Sequence, residues 1–96
     1  MSIVIIGGHD RMVCQYRNIC KNYNCKFKIF TQIPGGFKKQ IGCPDLIILF
    51  TNTVSHKMVS LAVKQAEKNK IAIVRSHSSS KTSLEDILNK HCNFEI

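Results

Sequence analysis

No apolar run in this chain of 96 residues approaches the ~18 that a helix needs to cross a bilayer. The N-terminus also lacks the basic segment and small-residue cleavage site of a secretory leader. The expectation is a soluble, cytoplasmic protein. Neither G-x-x-x-x-G-K-[ST] nor G-x-G-x-x-G occurs, so neither nucleotide fingerprint applies. The five cysteines, Cys14, Cys20, Cys25, Cys43 and Cys92, include no C-x-x-C pair. That removes the zinc-ribbon and thioredoxin patterns, and an odd set in a reducing compartment reads as free thiols. Acidic residues are scarce, 6 against 14 basic ones, for a formal charge of +8. The excess favours an anionic partner, a phosphate, a nucleic acid or a carboxylate-bearing cofactor. Eleven of the basic residues are scattered lysines, a pattern of solvated faces. A stripe of interleaved aromatics and cations is missing too, so only weak, non-specific nucleic-acid binding is expected.

What is present begins at Ile3-Val4-Ile5-Ile6. Four β-branched residues in a row read as a strand buried on both faces. Gly7 and Gly8 then permit a sharp turn, and a helical pattern follows, with Asp10 read as its N-cap. Met12, Val13, Tyr16, Ile19, Cys20 and Tyr23 recur at spacings of three and four. Lys26 to Thr31 alternates like an edge strand, Ile33 to Gly36 reads as a loop, and a short helix to about Ile41 follows. Leu46 to Phe50 is apolar throughout and suits a central parallel strand. A helix is expected from Ser55 to about Asn69, a strand over Ile71 to Val74, and a serine-rich loop after Arg75. Thr82 and Glu85 fit a capping box for a last helix through about Lys90.

Strand alternates with helix four times. That predicts an α/β, Rossmann-like domain over residues 1–96: a four-stranded parallel sheet, order 2-1-3-4, with helices on both faces. So small a sheet has exposed edges, which predicts a homo-oligomer.

In this architecture the carboxyl ends of all four strands share one rim, the usual place for a ligand. Gly7 to Arg11, Thr31-Gln32, Thr51 to Thr53 with His56, and Arg75 to Ser80 fall there. Three of the four histidines and two of the three arginines are among them. Receiver-type phosphorylation is set aside because Thr51 stands where such domains place an aspartate. Ser55-His56 and Ser76-His77 are adjacent pairs that cannot face each other, and no nucleophile elbow is present. Zinc ligands drawn from three loops would show no diagnostic spacing. Cys43-Pro44 lies on the other rim and reads as a turn ahead of the third strand.

Ile3 to Met12, Asp45 to His56 and Val74 to Ser80, taken together, closely resemble the bacterial domain-of-unknown-function family DUF2325. The resemblance covers nearly the whole chain, in order. It implies a cytosolic α/β domain that forms homo-oligomers, from dimer to hexamer, and in its short members non-covalent haem b. Longer members often have arginine at the place of His9, so the haem implication attaches to the His9-bearing type. The residues accept it. His9 after Gly7 and Gly8 would ligate iron. Met12, Val54 and Met58 would wall the porphyrin, and Arg11, Lys57, Arg75 and Ser78 would meet its propionates. His56 and His77 would make polar contacts from neighbouring loops. The expected role is that of a sensor, a haem store or a weak peroxidase. The competing expectations are a regulatory module for a phosphorylated small molecule at the same rim and a basic nucleic-acid adaptor.

Overall fold

The computed structural model describes residues 2–32 and 36–91. The Ile33 to Gly35 part of the expected loop and Cys92 lie outside the described residues. The elements are β1 (Ser2–Ile6), a 3-10 turn (Asp10–Met12), α1 (Val13–Asn22), β2 (Lys26–Phe30), α2 (Phe37–Ile41), β3 (Leu46–Phe50), α3 (His56–Asn69), β4 (Ala72–Ser76) and α4 (Lys81–His91). The four strands form one parallel sheet in the order β2-β1-β3-β4.

Alternation along the central strands divides the core into two layers. Ile3, Ile5, Leu46, Ile48 and Phe50 point to one face, where Tyr16, Ile19 and Cys20 of α1 and Leu84, Ile87 and Leu88 of α4 cover them. Val4, Ile6, Ile47 and Leu49 point to the other, against Ile41 of α2 and Met58, Ala62 and Ala66 of α3. The spacing of four from Met58 to Ala66 keeps one stripe of α3 on the sheet, and the small alanines let it approach closely. All five residues of β3 are fully buried. Each such side chain contributes roughly 1.5–3 kcal/mol of transfer free energy, so β1 and β3 dominate stability and hold the rim above them. No helix of the described residues is long and apolar enough to cross a membrane.

Three local expectations are corrected. Asp10 does not cap α1. It opens the 3-10 turn, and its carboxylate accepts a hydrogen bond from the Thr31 hydroxyl at the end of β2. The fourth strand is displaced from Ile71–Val74 to Ala72–Ser76, so Arg75 and Ser76 pair with Leu49 and Phe50. The deep apolar run of β3 continues to Phe50, and its partner is extended to match. The last helix starts before Thr82: the Ser80 hydroxyl accepts the Ser83 N–H at 3.1 Å, so Ser80 caps α4 and Thr82 lies inside it. Serine and threonine are both good caps, and the loop's anchoring at Ser79 selects the earlier one.

Candidate functional site

The strand order reverses between β1 and β3, and the crevice above that point is where sheets of this type bind ligands. Here the chain fills it. Gly7 and Gly8 are buried and carry φ of +103° and +86°. A Cβ on Gly7 would lie 2.6 Å from Val54 Cγ1 and 2.9 Å from the Phe50 carbonyl oxygen. A Cβ on Gly8 would lie 2.7 Å from the Tyr16 ring. The two glycines are needed because the loop after β3 presses on one side of the turn and α1 on the other.

The amides of this turn are committed as well. Gly7 N–H donates to the Phe30 carbonyl at 2.8 Å, and Gly8 N–H donates to Thr53 Oγ1 at 2.6 Å. Thr53 Oγ1 donates in turn to the Phe50 carbonyl at 3.0 Å. The turn is therefore stiff, where the glycine pair alone suggests flexibility. Its next residue, His9, is extended at φ −102°, ψ 144° and exposed.

Tyr16 lies beneath this turn. It is fully buried, packs on Phe50 at 5.6 Å between ring centroids, and its hydroxyl donates to the Ser79 carbonyl at 2.6 Å. Burial raises its phenol above the ordinary range, while hydrogen bonding to Ser79 and to the His9 backbone pulls the other way. A single side chain thus ties the turn carrying His9 to the loop carrying His77. Its run of serines suggests a mobile loop, yet Ser79 is buried and held.

The remaining candidates divide by place. Arg11, His56, Lys57, Arg75, His77 and Ser78 are exposed on the rim, and Met12 and Val54 are half-buried. Met12 packs against the α1/α4 layer and Val54 against the α2/α3 layer, so they flank the turn from opposite faces. Met58 is only 4% exposed and belongs to the core under α3. It does not wall a slot. Alternation in β4 puts Arg75 in phase with Ile73 along this edge strand. Two cavities bear on the question. One of about 300 Å³ lies beside β4 and α4, with Arg75, Ser76 and Lys90 on its margin. The other, about 330 Å³, is on the opposite rim beside Cys43, Gln65 and Lys68. Neither is bordered by His9, His56 or His77. Among the described residues no cluster of three or more His, Cys, Asp or Glu is placed to hold a metal ion. Cys14, Cys20, Cys25 and Cys43 form no disulfide among the described residues.

The donor chemistry fits haem in part. An exposed imidazole on a stiff turn is a group that would hold iron, and the exposed cations and hydroxyls around it would meet propionates. Among the described residues, Met12 and Val54 are half-buried apolar side chains beside this turn. Sequence reading places Thr53 and Ser79 on the rim without a role, and Tyr16 only in the apolar pattern of α1. Thr53 stands three residues beyond Phe50, inside a strand end that reads as ordinary turn chemistry, and Tyr16 is masked by the helical period it shares with Ile19 and Cys20.

The family model described as an uncharacterised protein conserved in bacteria, DUF2325, matches residues 2–91. No curated protein and no solved structure matches the chain.

Proposed function

The chain belongs to the DUF2325 family, and we propose that it is a haem-b-binding protein of sensor, storage or weak peroxidase type, with His9 as the iron ligand. One observation carries this reading: His9 stands exposed on a turn whose own N–H groups are already satisfied. A phosphate site at a glycine turn works through free backbone amides. This turn has committed the amides of Gly7 and Gly8 to Phe30 and Thr53, so what it offers outward is a side chain. A phosphorylated ligand is correspondingly the weaker reading. The scattered lysines leave nucleic-acid binding weak and salt-sensitive.

Arg11, Lys57, Arg75, His77 and Ser78 are the groups that would meet the propionates, and Met12 and Val54 the apolar contacts. Bound haem supplies one-electron redox chemistry and reaction with peroxide. The protein's part is to orient the imidazole and exclude water. Met12 and Val54 supply the apolar contacts within one copy, and a second copy completes the wall. The β4 edge suits that contact: Ala72, Ile73 and Val74 carry no charge, whereas Lys26 and Lys28 guard the β2 edge.

The experiment is a haemin titration followed by the Soret band, with light scattering before and after. Wild-type protein binds about one haem per chain and is oligomeric at micromolar concentration. His9→Ala loses haem, whereas His56→Ala and His77→Ala keep it. Arg75→Ala weakens binding without changing the spectrum. A colourless wild-type protein after haemin addition, or equal affinity in all three histidine variants, rejects the reading.

A further inference from the structure

We propose that Thr53 is a positioning residue for His9: its hydroxyl fixes the Gly8 peptide and so the direction in which the imidazole leaves the rim. The inference rests on the reading of His9 as the ligand-bearing residue and names what holds it in place.

A hydroxyl has one proton to donate. In Thr53 that proton goes to the Phe50 carbonyl at 3.0 Å, which leaves a lone pair to accept Gly8 N–H at 2.6 Å. Both bonds are therefore defined, and each fixes the other. The anchor is rigid, because Phe50 ends the fully buried strand β3 and packs on Tyr16. Gly8 is one peptide away from His9. On its other side the Tyr16 ring stands 2.7 Å from where a Cβ would be. The Gly8 peptide is held between a hydroxyl and a ring.

Two consecutive glycines at positive φ would otherwise leave the next residue on a loose tether, since glycine loses more conformational freedom on folding than any other residue. The Thr53 hydroxyl is the group that holds the Gly8 amide. Thr53 contacts the site only through the backbone, so its effect on a ligand passes through the placement of His9.

The test compares Thr53→Val, which keeps the shape and removes both hydrogen bonds, with Thr53→Ser, which keeps the hydroxyl. Thr53→Ala is a second removal should valine not be accommodated. Three readouts are taken: hydrogen exchange of the Gly8 amide, the ¹⁵N order parameter of the His9 amide against that of Ala66, and haemin affinity. In the valine and alanine variants Gly8 loses protection, His9 loses order and Ala66 keeps it. Haemin affinity falls up to about ten-fold, the scale of one lost hydrogen bond. Serine restores all three. Unchanged Gly8 exchange and His9 order in the removal variants overturns the inference. So does unchanged haemin affinity where order has been lost, or a serine variant that rescues nothing. If wild-type protein fails to bind haemin, the haem reading fails, and exchange and order still decide whether Thr53 positions His9.

Discussion

The rim has two halves built on different principles. Between β1 and β3 the chain is crowded: Gly7 lies against Val54 and the Phe50 carbonyl, Gly8 against Tyr16, and both glycine amides are used internally. Beside β4, residues 76–80 form an open loop tied by serine contacts, Ser76 Oγ to the Ser78 carbonyl at 2.8 Å and Ser78 Oγ to Ser80 Oγ at 3.2 Å. The crowded half derives its order from the core, since Phe50 and Tyr16 are fully buried. Apart from Ser79, which the buried Tyr16 hydroxyl holds, the open half derives its order from short polar contacts that water can replace. A stiff platform for His9 next to a more adaptable loop bearing His77 and Ser78 is a division of labour. One half fixes a ligating atom, and the other can adjust to the periphery of what it holds.

The largest effect that sharpens this contrast comes from Gly8→Ala. The new methyl group meets the Tyr16 ring at 2.7 Å, and Tyr16 cannot retreat without giving up Ser79. The backbone at φ +86° is also unfavourable for alanine. Overpacking and the left-handed strain together cost roughly 2–4 kcal/mol. His77→Ala, on the exposed loop, stays within about 0.5 kcal/mol of wild type. Urea unfolding of the two variants checks the pair, and similar losses would abolish the distinction between the halves.

Next comes alkaline pH, which acts on the group that joins the halves. Tyr16 is raised by burial, and Cys20 is pushed up to about 12 by burial and by the nearby Cys25 thiol. Both are protonated in the fold. In the unfolded chain they release protons at their ordinary values, roughly pH 8.5 for the thiol and 10 for the phenol. As pH rises past those values the unfolded state binds fewer protons than the folded one, so stability falls. It is fully present below about pH 8.5 and is lost as pH climbs towards the folded values. The thermal midpoint should therefore decline from about pH 9 upward. Tyr16→Phe should flatten the part above about pH 10, and Cys20→Ala the earlier part. An ionised Tyr16 also cannot donate to Ser79, so protection from exchange, corrected for the intrinsic pH dependence, should fall at Ser79 to Ser83 before it falls in β3. A midpoint independent of pH up to 11 would contradict the burial of both groups.

Much of this was legible in the residues. Ile3 to Ile6 and Leu46 to Phe50 are apolar throughout, and only a strand covered on both faces tolerates that, so the parallel sheet, its order and the common rim followed. The start of α3 at Ser55 was equally readable: the Ser55 hydroxyl accepts the Met58 N–H at 3.2 Å and caps the helix. The rim residues were found, but how they are held was not. Thr53 and Gly8 are 45 positions apart, and the bond between them has no period or motif to announce it. Tyr16 and Ser79 meet across 63 positions. Met58 was misplaced for a related reason: a residue early in a helix at the rim can face the ligand or the core, and the packing of α3 on Val4 and Ile6 settles which. Local chemistry sets the elements, and contacts distant in sequence set the stiffness of the site.

The smallest effect concerns the cap of α4, where a serine and a threonine compete. Ser80 Oγ accepts Ser83 N–H at 3.1 Å and lies 3.0 Å from Ser83 Oγ. One hydroxyl thus satisfies an amide of the first turn, which would otherwise be left without a partner. Ser80→Ala should cost about 1 kcal/mol, the usual value of such a cap. Thr82→Ala, at the position that the sequence pattern favours as cap, should cost at most a few tenths, since alanine is the better helix former inside a helix. The loss at Ser80 frays the start of α4 and loosens the open half from its far end, while the Tyr16 bond to Ser79 still holds the near end. Haemin affinity should accordingly stay within about two-fold of wild type in both variants, because His9 belongs to the crowded half. Amide exchange at Ser83 and Leu84, read beside exchange at Gly8, separates the outcomes. Faster exchange confined to α4 keeps the two halves distinct. Faster exchange at Gly8 as well would show that the serine loop, and not only Thr53 and Tyr16, supports the platform.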